Sequence, residues 1–274
     1  MSQSIVMVPL DELYPPVMNP FQVRHDDEME RLVRSIKENG VLEPGLVRPR
    51  AEGGYELISG NRRKMACNLA GLPTMPVLIR ELDDDSAAII MVDCNLEQRE
   101  QILLSEKAAA YRVKMDALCH KGIKDEKQSV EILMEQTGES RSQIFRLLRL
   151  TELIIELSDK LDAKQLAFNP AVALSHLSIQ EQKAVASAMD DFGIKPTVSQ
   201  ADKLKKLKQS GELTTDMINE ILSVDKGSTK ERKGINQYRN FFPDNFTAEQ
   251  IDAVITKLLQ EWGAKQNFNL EESA

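Results

Sequence analysis

Over residues 1–80 the spacing of apolar positions changes repeatedly, so short strands and helices alternate. Val6 to Leu10 reads as a strand. Met29, Leu32, Val33 and Ile36 place one apolar stripe on a helix over Asp26 to Asn39, which Gly40 stops. Leu46-Val47-Arg48 and Tyr55 to Ile58 flank Gly53-Gly54 and predict a hairpin. The second of these strands runs into Gly60 and then into a helix. Gly71-Leu72-Pro73 breaks the chain, and Met75 to Ile79 gives a further strand. Asp85-Ser86 starts a helix carrying Ile89, Ile90 and Val92. This mixture predicts an α+β domain over residues 1–101.

From residue 102 the pattern becomes helical. Leu104 to Leu118 reads as a long helix rich in alanine and lysine, and His120 to Gln128 as a polar connector. Ser129 to Leu150 reads as a helix-turn-helix: Val130, Leu133 and Met134 bury the first helix, Gly138 permits a left-handed turn, and Ser140 caps the second. Further helices are expected from Ser178, with Glu181 completing a capping box, near Ser199 and at Thr214. Residues 102–226 are thus expected to form a mostly α-helical domain. Gly227 to Gly234 is polar and reads as a linker within a last segment, 227–274. There Thr247 and Gln250 form another capping box, and Ile251, Val254, Ile255, Leu258, Leu259 and Trp262 draw one apolar stripe. That stripe is either a dimerisation surface or a face packed on Phe241, Phe242 and Phe246.

Composition narrows the class. With 42% hydrophobic and 28% charged residues the chain is that of a soluble globular protein. No apolar run reaches the length of a membrane span, and Met1-Ser2-Gln3-Ser4 lacks the basic and apolar regions of a signal peptide, so a cytoplasmic location is expected. Cys67, Cys94 and Cys119 are odd in number and isolated, which argues against a disulfide framework. Cys119-His120 has no partner at zinc spacing, so no metal site is assigned. The net charge of −8 is no bar to nucleic acid, because DNA needs only a local positive face. Residues 140–150 hold three arginines and no acid.

Two stretches carry candidate chemistry. In Ile58-Ser59-Gly60-Asn61-Arg62-Arg63 a strand passes through glycine into a helix that opens with two guanidinium groups, a turn suited to phosphates. The bland reading is an ion pair between these arginines and an acidic loop such as Asp83-Asp84-Asp85. In the helix-turn-helix, Ile144, Leu147 and Leu148 point inward, leaving Arg141, Ser142, Gln143, Arg146 and Arg149 for DNA. Ser140, Arg141, Ser142 and Gln143 stand where base edges are met. Arg146 and Arg149 are the expected phosphate contacts. The lysines at 203, 205, 206 and 208 read as a solvated face.

Taken in order, these pieces resemble the ParB/RepB partition family, mobile-element type, with an N-terminal domain of the ParB/sulfiredoxin-like kind. The resemblance runs through Leu10-Asp-Glu-Leu13, Asn19-Pro20-Phe21-Gln22-Val23-Arg24, Gly40-Val41-Leu42-Glu43-Pro44, Gly60-Asn61-Arg62-Arg63 and Asn95-Leu-Glu-Gln-Arg99-Glu100, and continues through the helix-turn-helix to about residue 210. It implies a dimeric DNA-binding partition protein, nucleoid- or plasmid-associated, that acts in segregation and is gated by CTP with Mg²⁺. Gly40, Glu43 and Pro44 would shape the nucleoside side. Gly60, Asn61, Arg62 and Arg63 would hold phosphates, and Asn95 and Arg99 would lie against the triphosphate. The implied partners are double-stranded DNA with a palindromic site, a second copy of the chain and a Walker-type partition ATPase.

Two departures from the family pattern matter. Asn61 stands where the family has glutamate, and on either alignment of Asn95 to Glu100 the family's acid is missing, so slow or absent CTP turnover is expected and no catalytic residue is assigned. One alternative is a transcription or replication regulator of a mobile element with an inactive pocket. The other is a sulfiredoxin- or kinase-like enzyme, but the Gly60 turn holds Asn61 and Arg62 in place of a reactive cysteine.

Overall fold

The computed structural model describes residues 4–98, 102–122, 126–223, 241–243 and 246–265. The chain divides into two compact units, Met1–Asn219 and Glu220–Ala274. The first opens with a five-stranded mixed sheet of β1 (Ile5–Pro9), β2 (Leu13–Tyr14), β3 (Gly45–Pro49), β4 (Tyr55–Ser59) and β5 (Thr74–Ile79), in the order β1-β5-β3-β4-β2. β3 and β4 form the expected antiparallel hairpin, β1 pairs antiparallel with β5, and the β3–β5 and β2–β4 pairs are parallel.

Helices cover both faces of this sheet, and the period of two along β4 shows how. Leu57 packs into a core with Met29 and Ile36 of α1 (Asp27–Asn39) and Ala66 and Cys67 of α2 (Asn61–Ala70). Its neighbour Ile58 turns to the other face, into a core with Ala87, Met91 and Val92 of α3 (Asp84–Gln98) and Ala110 of α4 (Leu104–His120). Asp26 caps α1 by accepting from the Met29 amide at 2.8 Å. Asp83 caps α3 in the same way, accepting from the Ser86 amide at 2.7 Å.

α4 is longer than the sequence pattern suggested, running to His120. It also joins the sheet layer to the helical layer. At its start Glu106, only 4% exposed, accepts from Arg24 at 2.7 Å and from the Gln22 amide at 3.1 Å. The Asn19–Arg24 motif is thereby fastened to α4. Beyond it come α5 (Glu126–Thr137), α6 (Arg141–Arg149), α7 (Ile155–Asp162), α8 (Phe168–Leu174), α9 (Ile179–Asp191), α10 (Val198–Ser210) and α11 (Thr215–Ser223). α5 begins three residues before the expected Ser129. The capping box at Ser178 and Glu181 is present, and a second one, Thr197 with Gln200, starts α10 just ahead of the expected Ser199. In the second unit α12 spans Ala248–Lys265, and Thr247 and Gln250 exchange the two capping-box bonds. The expected linker at Gly227 to Gly234 lies outside the described residues.

Candidate functional site

The turn between β4 and α2 is built on a close approach. Gly60 has φ +112°, and a Cβ there would stand 3.2 Å from the Cα of Gly45 in the neighbouring strand, so glycine is required on both counts. Among the described residues no side-chain cap closes the start of α2, so its first amides face the space beyond the helix start, where an anion is favoured. The Asn61 side chain turns back to donate to the Leu57 carbonyl at 3.3 Å.

The two arginines have different roles. Arg63 Nη1 donates to the carbonyls of Glu43 and Pro44, both at 2.7 Å, and so holds the loop after Gly40 against the start of α2. Burial pushes its guanidinium below the usual arginine range. Arg62 extends outward to Asp26 Oδ1 and Glu28 Oε2, each at 3.2 Å, at the start of α1. These two acids, and not the Asp83–Asp85 run, are its ion-pair partners. Each is more than two-fifths exposed, so an incoming polyanion can take Arg62 from them.

α3 carries the third motif along the strand that leads to this turn, since its Met91 and Val92 share a buried cluster with Ile58 of β4. Asn95 donates back to the Met91 carbonyl at 2.8 Å, and Glu97, one turn beyond Asp93, is exposed. Arg99 lies outside the described residues. Asp93, a candidate substitute for the missing acid, is already engaged: it pairs with the buried Lys114 of α4. Among the described residues no three His, Cys, Asp or Glu side chains gather as metal ligands. A cavity of about 370 Å³ opens on the other face of the sheet, lined by Arg48, Glu56, Ile58, Asp84 and Met91. Its charge is unsuited to a phosphate, because Glu56, Asp84, Asp85 and Asp116 line it beside the single arginine, Arg48.

The reader forms as two helices joined by Gly138, at φ +69°. Val130 and Leu133 of α5 are buried, as are Ile144, Leu147 and Leu148 of α6, while Met134 is half-buried. Ser140 Oγ caps α6 by accepting from the Gln143 amide at 3.3 Å. Ser140, Arg141, Ser142 and Arg146 are exposed and Gln143 half-exposed, so the start of α6 presents a polar face. The Arg141 guanidinium stands 6.0 Å over the exposed ring of Phe145.

Arg149 has a partner inside the domain. Its Nη2 donates to the Ser175 carbonyl after α8 at 2.8 Å, and its buried Nε has no hydrogen-bond partner among the described residues. The side chain therefore ties α6 to the α8 end. Beside it, burial followed by the charges of Lys205 and Arg149 pushes the His176 imidazole below its ordinary range.

In α12, Ile251 is buried, but Val254, Leu258, Leu259 and Trp262 are 38%, 59%, 57% and 57% exposed. Phe242 and Phe246 stack on each other at 5.8 Å between centroids, while Phe241 is exposed. The stripe on α12 is thus largely uncovered.

Sequence reasoning missed Asp26 and Glu28 as partners of Arg62, Lys64, whose Nζ reaches the Leu13 carbonyl at 2.5 Å, and the buried Lys114. A signal existed for Lys114. It lies on the same helical side as Ala110, Tyr111, Ala117 and Leu118, a lysine placed on an apolar stripe.

The chain is similar in sequence to known proteins. The model of the ParB N-terminal domain matches residues 1–96. A nucleoid occlusion protein of Listeria innocua is 31% identical over 232 residues, spanning 84% of this chain and 74% of that protein. The chromosome-partitioning protein Spo0J of Thermus thermophilus is 28% identical over 263 residues, spanning 93% of this chain and 90% of its own. A C-terminally truncated chromosome-partitioning protein from Caulobacter crescentus has been solved on the centromeric parS site, at 27% identity and a TM-score of 0.45 over 73% of this chain and 98% of that one. Its complex with CTP-gamma-S matches at 30% identity and a TM-score of 0.33 over 68% and 99%.

Proposed function

The chain belongs to the ParB family, and from that premise we propose that it is a sequence-specific DNA-binding partition protein whose hold on DNA is gated by CTP. The observation that carries the proposal is the pairing, within one compact unit, of an uncapped helix start bearing a displaceable arginine with a helix-turn-helix presenting a polar first turn. The geometry fits a triphosphate: the amides at the start of α2 and the Arg62 guanidinium would hold it, while Arg63 keeps the Glu43–Pro44 loop in place to receive the nucleoside. Arg141, Ser142 and Gln143 would read base edges of double-stranded DNA, with Arg146 on a phosphate.

A palindromic site calls for two readers, so the acting species is a homodimer, with the uncovered stripe of α12 as the pairing surface. It would be associated with the nucleoid or a plasmid, and a Walker-type partition ATPase is the matching partner for segregation. The described residues fit Mg²⁺ poorly, because Asp93 is engaged by Lys114 and Glu97 is the one other acid of that segment among them. A second reading, a regulator with an inactive pocket, is favoured by that same shortage of carboxylates.

Titration calorimetry with CTP, ATP and GTP, with and without Mg²⁺, followed by DNA binding to a palindrome enriched from random sequence, separates the two. Selective CTP binding that changes DNA affinity supports the partition reading. DNA binding without any nucleotide binding supports the regulator.

A further inference from the structure

Lys114 stands in the middle of α4 with its side chain 1% exposed, the most deeply buried charge among the described residues. Its Nζ donates to the Asp93 carboxylate of α3 and to the Gln136 side-chain oxygen in the last turn of α5. A buried ammonium is costly to desolvate, and an apolar side chain of similar volume usually serves packing as well or better. Stability alone therefore does not account for a lysine here.

Its location suggests another use. Asp93 follows Met91 and Val92, which share a buried cluster with Ile58 two residues before Gly60, and it immediately precedes Cys94 and Asn95 of the third motif. Gln136 lies two residues before Gly138, the turn of the helix-turn-helix. Two residues past that helix end, Glu139 is gripped by α4 as well, accepting from Lys107 at 2.5 Å and from the Tyr111 hydroxyl at 3.1 Å, and Ser140 then caps α6. Asp93, Lys107, Tyr111 and Gln136 line one cavity of about 510 Å³, so α3, α4 and α5 meet around open space on this side.

We propose that Lys114 is a positioning residue that carries the state of the nucleotide pocket to the DNA reader, through an Asp93–Lys114–Gln136 bridge. The inference rests on the reading of the Gly60 turn as a CTP pocket. A ligand that draws the Asn95 segment toward the turn moves Asp93. Lys114 must then follow the carboxylate or remain with Gln136, and either choice changes how α5 and the turn are held. The two sites are linked because a buried ammonium does not remain unpaired.

The test uses the full chain and Lys114→Met, which keeps length and volume but removes the charge, with the exposed Gln136→Leu as a variant that leaves Lys114 and Asp93 paired. DNA affinity is measured with and without CTP, and CTP affinity with and without DNA, since linkage requires the same ratio both ways. Coupling of this kind is typically about 5- to 150-fold. In the variants each ligand should still bind alone within about threefold of the unaltered protein, while the coupling ratio falls to within about twofold of one. An unchanged ratio in folded Lys114→Met overturns the inference and leaves the CTP reading standing. Should that variant not fold, an unchanged ratio in Gln136→Leu does the same. A ratio of one in the unaltered protein overturns both.

Discussion

Replacing Arg62 by alanine probes the pocket most directly, because the structure gives this arginine two competing uses. Its Nη2 lies 3.2 Å from Asp26 Oδ1 and 3.2 Å from Glu28 Oε2. On the proposed reading it is also the guanidinium best placed to meet phosphate, since Arg63 is tied to two carbonyls. Losing a charge-assisted contact costs about 1.5–3 kcal/mol, or about 10- to 150-fold in Kd. The variant also leaves two carboxylates facing the phosphates, which moves the expected loss toward the upper end. Glu28→Gln should act in the opposite direction. An exposed ion pair is worth about 0.2–1 kcal/mol, so removing this competitor should tighten CTP binding by up to about fivefold. Asp26 is unsuitable for this arm because it also caps α1 through the Met29 amide. Calorimetry at fixed ionic strength, with a thermal melt to confirm folding, reads both variants. Unchanged CTP affinity in Arg62→Ala, or weaker binding in Glu28→Gln, would refute the assignment.

On DNA, Gln143→Ala should relax base preference at one position per half-site at a cost of about 1–3 kcal/mol, whereas the exposed Arg146→Ala should weaken all sequences alike and lower the salt slope by about one unit. Equal losses on specific and random DNA for both variants would sink that division. Leu258→Glu with Leu259→Glu, or removal of residues 236–274, should convert a dimer to monomer in sedimentation and abolish specific binding; a truncated chain that stays dimeric places the pairing surface elsewhere. The lowered pKa of His176 means that the unfolded chain binds its proton more readily than the folded one, so stability should decline as pH falls from about 6.5. Denaturant titrations should show a shallower decline in His176→Asn than in the unaltered protein. Phosphate release from CTP should stay near background; release well above it that disappears in Glu97→Ala would show that Glu97 replaces the missing acid.

The features that could be read from the sequence are local. Capping boxes at Ser178 and Thr247 depend on residues three apart, and the Gly53-Gly54 hairpin on two adjacent glycines, so a linear pattern suffices. β2 escaped notice because two residues carry no periodicity, and its parallel partner β4 is some forty positions away. α7 and α8 are eight and seven residues long, too short for their apolar spacing to stand out. The Ser175 partner of Arg149 was hidden for a related reason. A helical projection places inside only what is apolar, yet a long side chain next to Leu148 can lie along the core and offer its donors to a buried carbonyl.

The same limit decides how the candidate pocket should be understood. Spacing alone identified the Gly60 turn, because a strand, a glycine and two arginines adjoin in the chain. It could not assign the arginines, since their partners at Asp26, Glu28, Glu43 and Pro44 are 19 to 36 positions away. Nor could it show that Asp93 serves Lys114 from across two helices. Once those partners are known, the departures in the third motif have a consistent physical sense. A carboxylate beside the triphosphate would serve a metal ion and an attacking water, whereas one paired with a buried ammonium serves the junction between α3, α4 and α5. Among the described residues Asp93 is of the second kind, so on the proposed reading the turn keeps the helix-start amides and Arg62 for phosphate while Asp93 is committed to Lys114.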